Sequence, residues 1–270
     1  MVVAMILALA LVSGQDAAPP PSNTLSDIVV QPLTNDPIGR YVGGVTVPGE
    51  HGRFAGQVAR WDHRLCVSVV GGAPEVNAYL TEQIAANFRS LDIAHAPAGC
   101  SPTVAVVIST EADAFAQRFA DLNRNHMFST RGEAVARFVG PSRPVRWQHL
   151  TRTDQRPLPQ SRLRVATTRA IQQTIIVVDA ERASTAPLDS LAAYLAFVAL
   201  VDLPAQPGTG GQRTILSLFD DPVADQPRAM TRWDRAFVRA LYRVTPDMMF
   251  GLQQAEIETW MRLNLAGSAP

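Results

Sequence analysis

Two adjoining stretches limit the folds open to this chain. "TIIVVD", residues 174–179, is a β-branched run of strand length. It leads into "LDSLAAYLAFVALVDL", Leu188 to Leu203, where Leu191, Leu195, Val198 and Leu203 run along one side and Tyr194, Phe197 and Val201 lie on others. A helix apolar nearly all round has no face to offer water and must be covered on every side. The rest of the chain therefore has to build layers around a strand and a core helix. At 270 residues and 47% hydrophobic, it has the material to do so.

The covering elements can be read from periodicity. "LCVSVVGG" is a strand ending in a glycine turn, and a helix is expected from Pro74 to about Leu91, with Val76, Leu80, Ile84 and Phe88 recurring every four residues. "TVAVVIST" is a continuous apolar run, as a buried strand requires. Strand, helix and strand in this order make a βαβ unit if the strands are parallel. Thr110 with Asp113, and Thr130 with Glu133, have capping-box spacing before two further helices. "VRWQHL" alternates as a strand, and "RLRVAT" reads as another before "QTIIVVD". The last third is helical: Thr231 and Asp234 form a capping box before Trp233, Phe237, Leu241 and Val244, and a final helix follows Pro246. The fold class is α/β (α+β), a mixed sheet that starts with a βαβ unit and carries a helical C-terminal third.

The first residues suggest export. Residues 1–14 have the apolar run and small-residue site of a signal peptide, and the run is too short to span a bilayer. Residues 15–60 are rich in Pro and Gly and are expected to be a flexible leader, with a short edge strand near Tyr41–Val47. One globular domain is expected over residues 61–266. Cys66 and Cys100 are the only cysteines. They precede two strands, so a disulfide is expected if those strands are neighbours, with two buried thiols as the alternative. A periplasmic or secreted protein follows, with no integral membrane segment after signal cleavage.

Composition excludes several chemistries. All twenty-four basic residues are arginine and twenty-four acidic residues balance them. Without lysine there is no Walker A loop, no Schiff-base lysine and no Ser-Lys dyad. Neutral net charge argues against a nucleic-acid partner. "DLNRNHMFSTRGE" fails the calcium-loop pattern, having His126 at the glycine place and Gly132 at the closing glutamate place. "PGTGGQRT" lacks the lysine of a phosphate loop and reads as a mobile connection. The five histidines, His51, His63, His95, His126 and His149, include no pair one helical turn apart.

The order of parts, with "TILSLFDD" and "MTRWDRAFVRALYRV" (Met230 to Val244), resembles zincin-like, metallopeptidase-like families of exported bacterial proteins whose metal motif is degenerate. In metal-dependent zincins the helix after such a strand supplies two histidines with a glutamate between them. Laid on "AAYLAFV", that pattern falls on Ala193, Tyr194 and Phe197, which can neither ligate zinc nor deprotonate a bound water at neutral pH. The resemblance thus implies the fold and argues against the activity, with no catalytic residue, no metal and no cofactor. The expected function is a non-catalytic binding or structural protein of the cell envelope with an envelope protein partner. Tyr194, Asp220 and Asp221 would border the former active-site cleft. The alternative is a hydrolase using Asp220, Asp221 or Asp225 with His149 or His63.

Overall fold

The computed structural model describes residues 36–49, 56–97, 99–128, 132–140, 142–156 and 163–267. The expected signal peptide, the leader up to residue 35, Thr130 of the Thr130–Glu133 capping box and Arg162, the first residue of "RLRVAT", lie outside them.

A five-stranded mixed sheet organises the chain, as the runs of β-branched residues require. Its strands are β1 (Arg60–Trp61), β2 (Val67–Val70), β3 (Val104–Ser109), β4 (Val145–Gln155) and β5 (Thr167–Asp179). β2 pairs with β3 and β3 with β5, all parallel; β1 runs parallel to the start of β5, and β4 lies antiparallel along its other side. The βαβ unit is present: α2 (Pro74–Ser90) crosses between β2 and β3, its Leu80, Ile84 and Phe88 fully buried. The cysteines at the head of that unit join in a disulfide, with Cα atoms 6.0 Å apart. Gly71 ends β2 with φ of +92°, and a Cβ there would run into the carbonyl of Ile108, so the glycine turn is needed.

Helices cover both sheet faces. α3 (Ala112–Leu122), α4 (Arg124–Met127) and α5 (Gly132–Val139) enclose a smaller core on one face with Ile175 and Val177 of β5. On the other face α6 (Leu188–Leu200) packs on Ile171, Ile176 and Val178, and every residue from Ser190 to Leu200 is buried. β5 thus sends alternate side chains into two cores, which is why its end is apolar without a break. The final helices α7 (Arg232–Leu241) and α8 (Phe250–Ala266) complete the larger core.

Four local expectations are corrected. The edge strand expected near Tyr41–Val47 is a helix, α1 (Pro37–Val45), capped by Asp36, with Tyr41, Val42 and Val45 buried in the main core. Asp36 also holds Arg262 of α8. The mobile connection "PGTGGQ" is seated on that helix: Gly208 N donates to Gly44 O at 2.9 Å, an approach a Cβ on Gly44 would block. Thr110 caps nothing; Glu111 stands at the N-cap of α3 and Ser109 Oγ accepts from its N–H. "RLRVAT" makes no separate strand among its described residues, where Arg164 forms only a lone bridge to Met248 and β5 begins at Thr167. By contrast the Thr231–Asp234 capping box forms as expected.

Candidate functional site

The antiparallel strand β4 has one edge on β5, and no described strand pairs with the other. Which backbone groups face out follows from the ladder. Asp179 N donates to Pro144 O, while Thr174 N donates the opposite way, to Thr103 O. Hydrogen-bonded and open pairs alternate in an antiparallel ladder. With Val145 opposite Val178, Trp147 opposite Ile176 and His149 opposite Thr174, those three β4 residues turn their N–H and C=O outward. A cleft follows this edge. One section, about 310 Å³, is lined by Met127, Ala134, Arg137, Gln148, Asp202 and Leu203 among others, and reaches Pro48 and Gly49. A smaller section, about 60 Å³, continues past Val145 and Trp147 to Arg143 and Arg146.

Side chains on β4 alternate between the walls. Gln148 Nε2 donates to Met127 O at 3.2 Å and to His149 O at 2.9 Å, so that one outward carbonyl of the edge is already matched by a side chain. His149 points toward α6, where its Nε2 lies 2.9 Å from Val198 O and its Nδ1 lies 3.8 Å from Asp202 Oδ1. Arg169 of β5 holds the other oxygen of Asp202 at 2.7 Å. The bond to a carbonyl requires Nε2 to carry a hydrogen, so the neutral ring has its lone pair on Nδ1. Burial holds the His149 pKa below its usual value, against the opposing pull of Asp202 and the Val198 carbonyl.

The purpose of this histidine is visible in its neighbours. The last carbonyls of a helix have no partner within it, and α6 ends inside the protein. Val198 O meets His149, Ala199 O accepts from Trp61 Nε1 at 2.7 Å, and Leu200 O accepts from Tyr242 Oη at 3.1 Å. Three side chains from β4, β1 and the end of α7 thus close the end of the buried helix. A general base needs a ring nitrogen free to face substrate. His149 instead turns one nitrogen to a helix carbonyl and the other to Asp202.

The residues singled out in the sequence are placed as follows. Tyr194 is buried with its ring 5.2 Å from Phe219, edge to face, and burial raises its hydroxyl pKa with the Asp220 charge adding to the rise. Asp220 is exposed and ends a short 3-10 segment, Ile215–Phe219. Asp221 is half-buried and accepts from Ser217 Oγ at 2.7 Å, a turn-closing contact. Tyr194 and Asp220 are thus near each other, while among the described residues neither aspartate is joined to a histidine. Asp225 is exposed, His149 has Asp202 as its carboxylate partner, and His63 has Asp62 at 2.9 Å. Ala193 and Phe197, at the places of zincin histidines, are buried among apolar residues, Phe197 against Phe237. Among the described residues, no three of His, Cys, Asp and Glu stand close enough to share a metal ion.

Sequence reasoning missed Asp202 and Arg169. Asp202 had a signal: it is the one charge immediately after an apolar helix. Arg169 had none, because its partner is distant in sequence.

The fold and the cleft define a mixed α/β protein in which the outer edge of β4, unpaired among the described strands, lies beside a buried, side-chain-capped helix. Compared with protein-family models, curated proteins and solved structures, the chain shows no significant match to any of them.

Proposed function

We propose that this is an exported, non-catalytic binding protein of the cell envelope, and that the cleft along β4 receives an extended segment of a partner protein. The observation that carries the reading is the outward-turned backbone of Val145, Trp147 and His149 on the cleft floor. An extended chain laid on such an edge gains main-chain hydrogen bonds, and the flanking walls select its side chains. The strand from Val145 to Thr151 offers about 20 Å of edge, room for roughly six residues. The use of His149 as a helix cap supports binding over catalysis. The zincin-like kinship remains part of this proposal, supported by the passage from β5 into α6 and by the βαβ opening.

Export is supported by the disulfide, which persists in oxidising compartments. No described helix is long and apolar enough to cross a membrane. The test is a titration of the labelled protein with a randomised pentapeptide pool containing both free and amidated C-termini. Amide signals of Val145, Trp147 and His149 are expected to shift. Shifts confined to other surfaces, or none, overturn the reading.

A further inference from the structure

The geometry points to a carboxylate slot at the Val145 end of the cleft, which takes the C-terminal carboxylate of the bound segment. This rests on the groove reading above and adds to it the chemistry of one end of the ligand. The slot is the 60 Å³ section lined by Arg137, Arg143 and Arg146 beside Trp147 and Gln148. A single water needs roughly 10–15 Å³ by the same measure, so a two-oxygen group fits there and a bulky one does not.

Charge and hydrogen bonding both ask for an anion. The slot is lined by three arginines and one carboxylate, Asp202, which pairs with Arg169 at 2.7 Å; Arg146 pairs with Asp113, which leaves Arg137 and Arg143 without a carboxylate among the described residues. Arg146 is the telling member. Its side chain is 2% exposed, it donates to Ala112 O at 3.2 Å and pairs with Asp113, and its Nε is buried without an acceptor. A buried charged donor left unmatched is costly, and a ligand oxygen would relieve it. Arg143 spends one N–H on Ala205 O at 2.6 Å. Arg137 is exposed and has no partner among the described residues.

Strand direction then chooses between oxyanions. A segment pairing antiparallel to β4 runs opposite to it, so its C-terminal end arrives at Val145. A parallel segment would bring its amino terminus to the three arginines. Charge complementarity selects the first arrangement and places a chain terminus, rather than a phosphorylated side chain, in the slot.

The experiment titrates the full chain, labelled at the arginine side chains, with three probes: randomised acetyl-pentapeptides with a free C-terminus, the same pool amidated, and inorganic phosphate. The expected result is that the free-acid pool binds at least about tenfold more tightly than the amidated pool. It also shifts the Arg146 Nε–H and Trp147 indole signals, and R137A/R143A removes the difference between pools. Equal binding of both pools with Arg146 unmoved overturns the slot and leaves the groove standing. Binding of neither pool overturns both. Phosphate moving Arg146 while the pools bind equally makes the slot a free-anion site and overturns the terminus assignment. A shift of Arg146 with protein concentration alone would put a second copy of this chain there and likewise overturn it.

Discussion

His149 on the edge strand and Asp202, two residues past the end of the buried helix, face each other across 3.8 Å, with the imidazole neutral and its proton turned to Val198 O. The bond from His149 Nε2–H to Val198 O ties β4 to α6, and the buried ring makes the junction sensitive to acid. Because burial lowers the folded-state pKa of His149, the unfolded chain binds a proton that the folded chain does not. Stability from this group is therefore present above the unfolded value of about 6.5 and is lost as pH falls below it, by no more than about 1.4 kcal/mol per pH unit. H149Q keeps a donor for Val198 O and cannot titrate. In urea unfolding at a series of pH values, the variant is expected to lose the acid-side decline that the parent shows.

Asp234 titrates in the opposite sense. It accepts from Thr231 N at 2.7 Å and Ile215 N at 2.8 Å, and Tyr41 Oη donates to it at 3.4 Å. Burial outweighs these bonds and pushes its pKa up to about 6. The folded state then holds the proton more tightly than the unfolded state, so this group adds stability as pH falls from about 6 to about 4. The full effect is on the order of 3 kcal/mol. D234N is expected to remove that rise, while D234A also leaves buried donors unmatched and costs about 1–3 kcal/mol at neutral pH. The same urea series, run on both variants, checks it.

The disulfide between Cys66 and Cys100 closes a loop with sequence separation 34 at the head of the βαβ unit. Replacing both cysteines by serine is expected to cost about 3–4 kcal/mol if the chain-entropy account holds. Calorimetry should show a lowered Tm with the pairing of β2 and β3 retained.

Gly44 and Gly208 touch backbone to backbone, which locks α1 under the glycine-rich loop. G44A must push the loop away and expose part of the core around Tyr41 and Val42. A loss of about 1–3 kcal/mol is expected, as for other overpacked sites. G43A is the control, since a Cβ at Gly43 meets nothing within 4 Å. Equal stability of the two variants would contradict the packing role.

Much of the fold was legible because burial leaves a pattern in single stretches. The uninterrupted apolar character of residues 188–203 told of a helix covered all round, and Thr231 with Asp234 announced the start of α7. The four-residue recurrence from Val76 to Phe88 gave α2 almost to its ends. What could not be read was set by distant partners. Tyr41 lies in a stretch whose glycines suggest looseness, yet those glycines allow a loop more than 160 residues away to settle on its helix. Thr110 has the right spacing for a cap, but Glu111 takes the N-cap place. The cleft was the least legible part. Its floor is main chain, which carries no sequence signal, and its arginines come from α5, the turn before β4, and β4 itself. Tyr194, expected to border the former active-site cleft, belongs to the core because the helix that carries it is buried from Ser190 to Leu200.

The central claim is that the outer edge of β4 accepts an extended segment, and amide hydrogen exchange tests it most directly. The N–H groups of Val145, Trp147 and His149 have no ladder partner among the described residues, and an added strand would give them one. With the mixed free-acid and amidated pentapeptide pool in excess, their exchange is expected to slow at least about tenfold, while that of Arg146 and Gln148, already bonded to β5, changes little. Unchanged exchange at the three outward amides, under conditions where the pool is bound, would contradict the account.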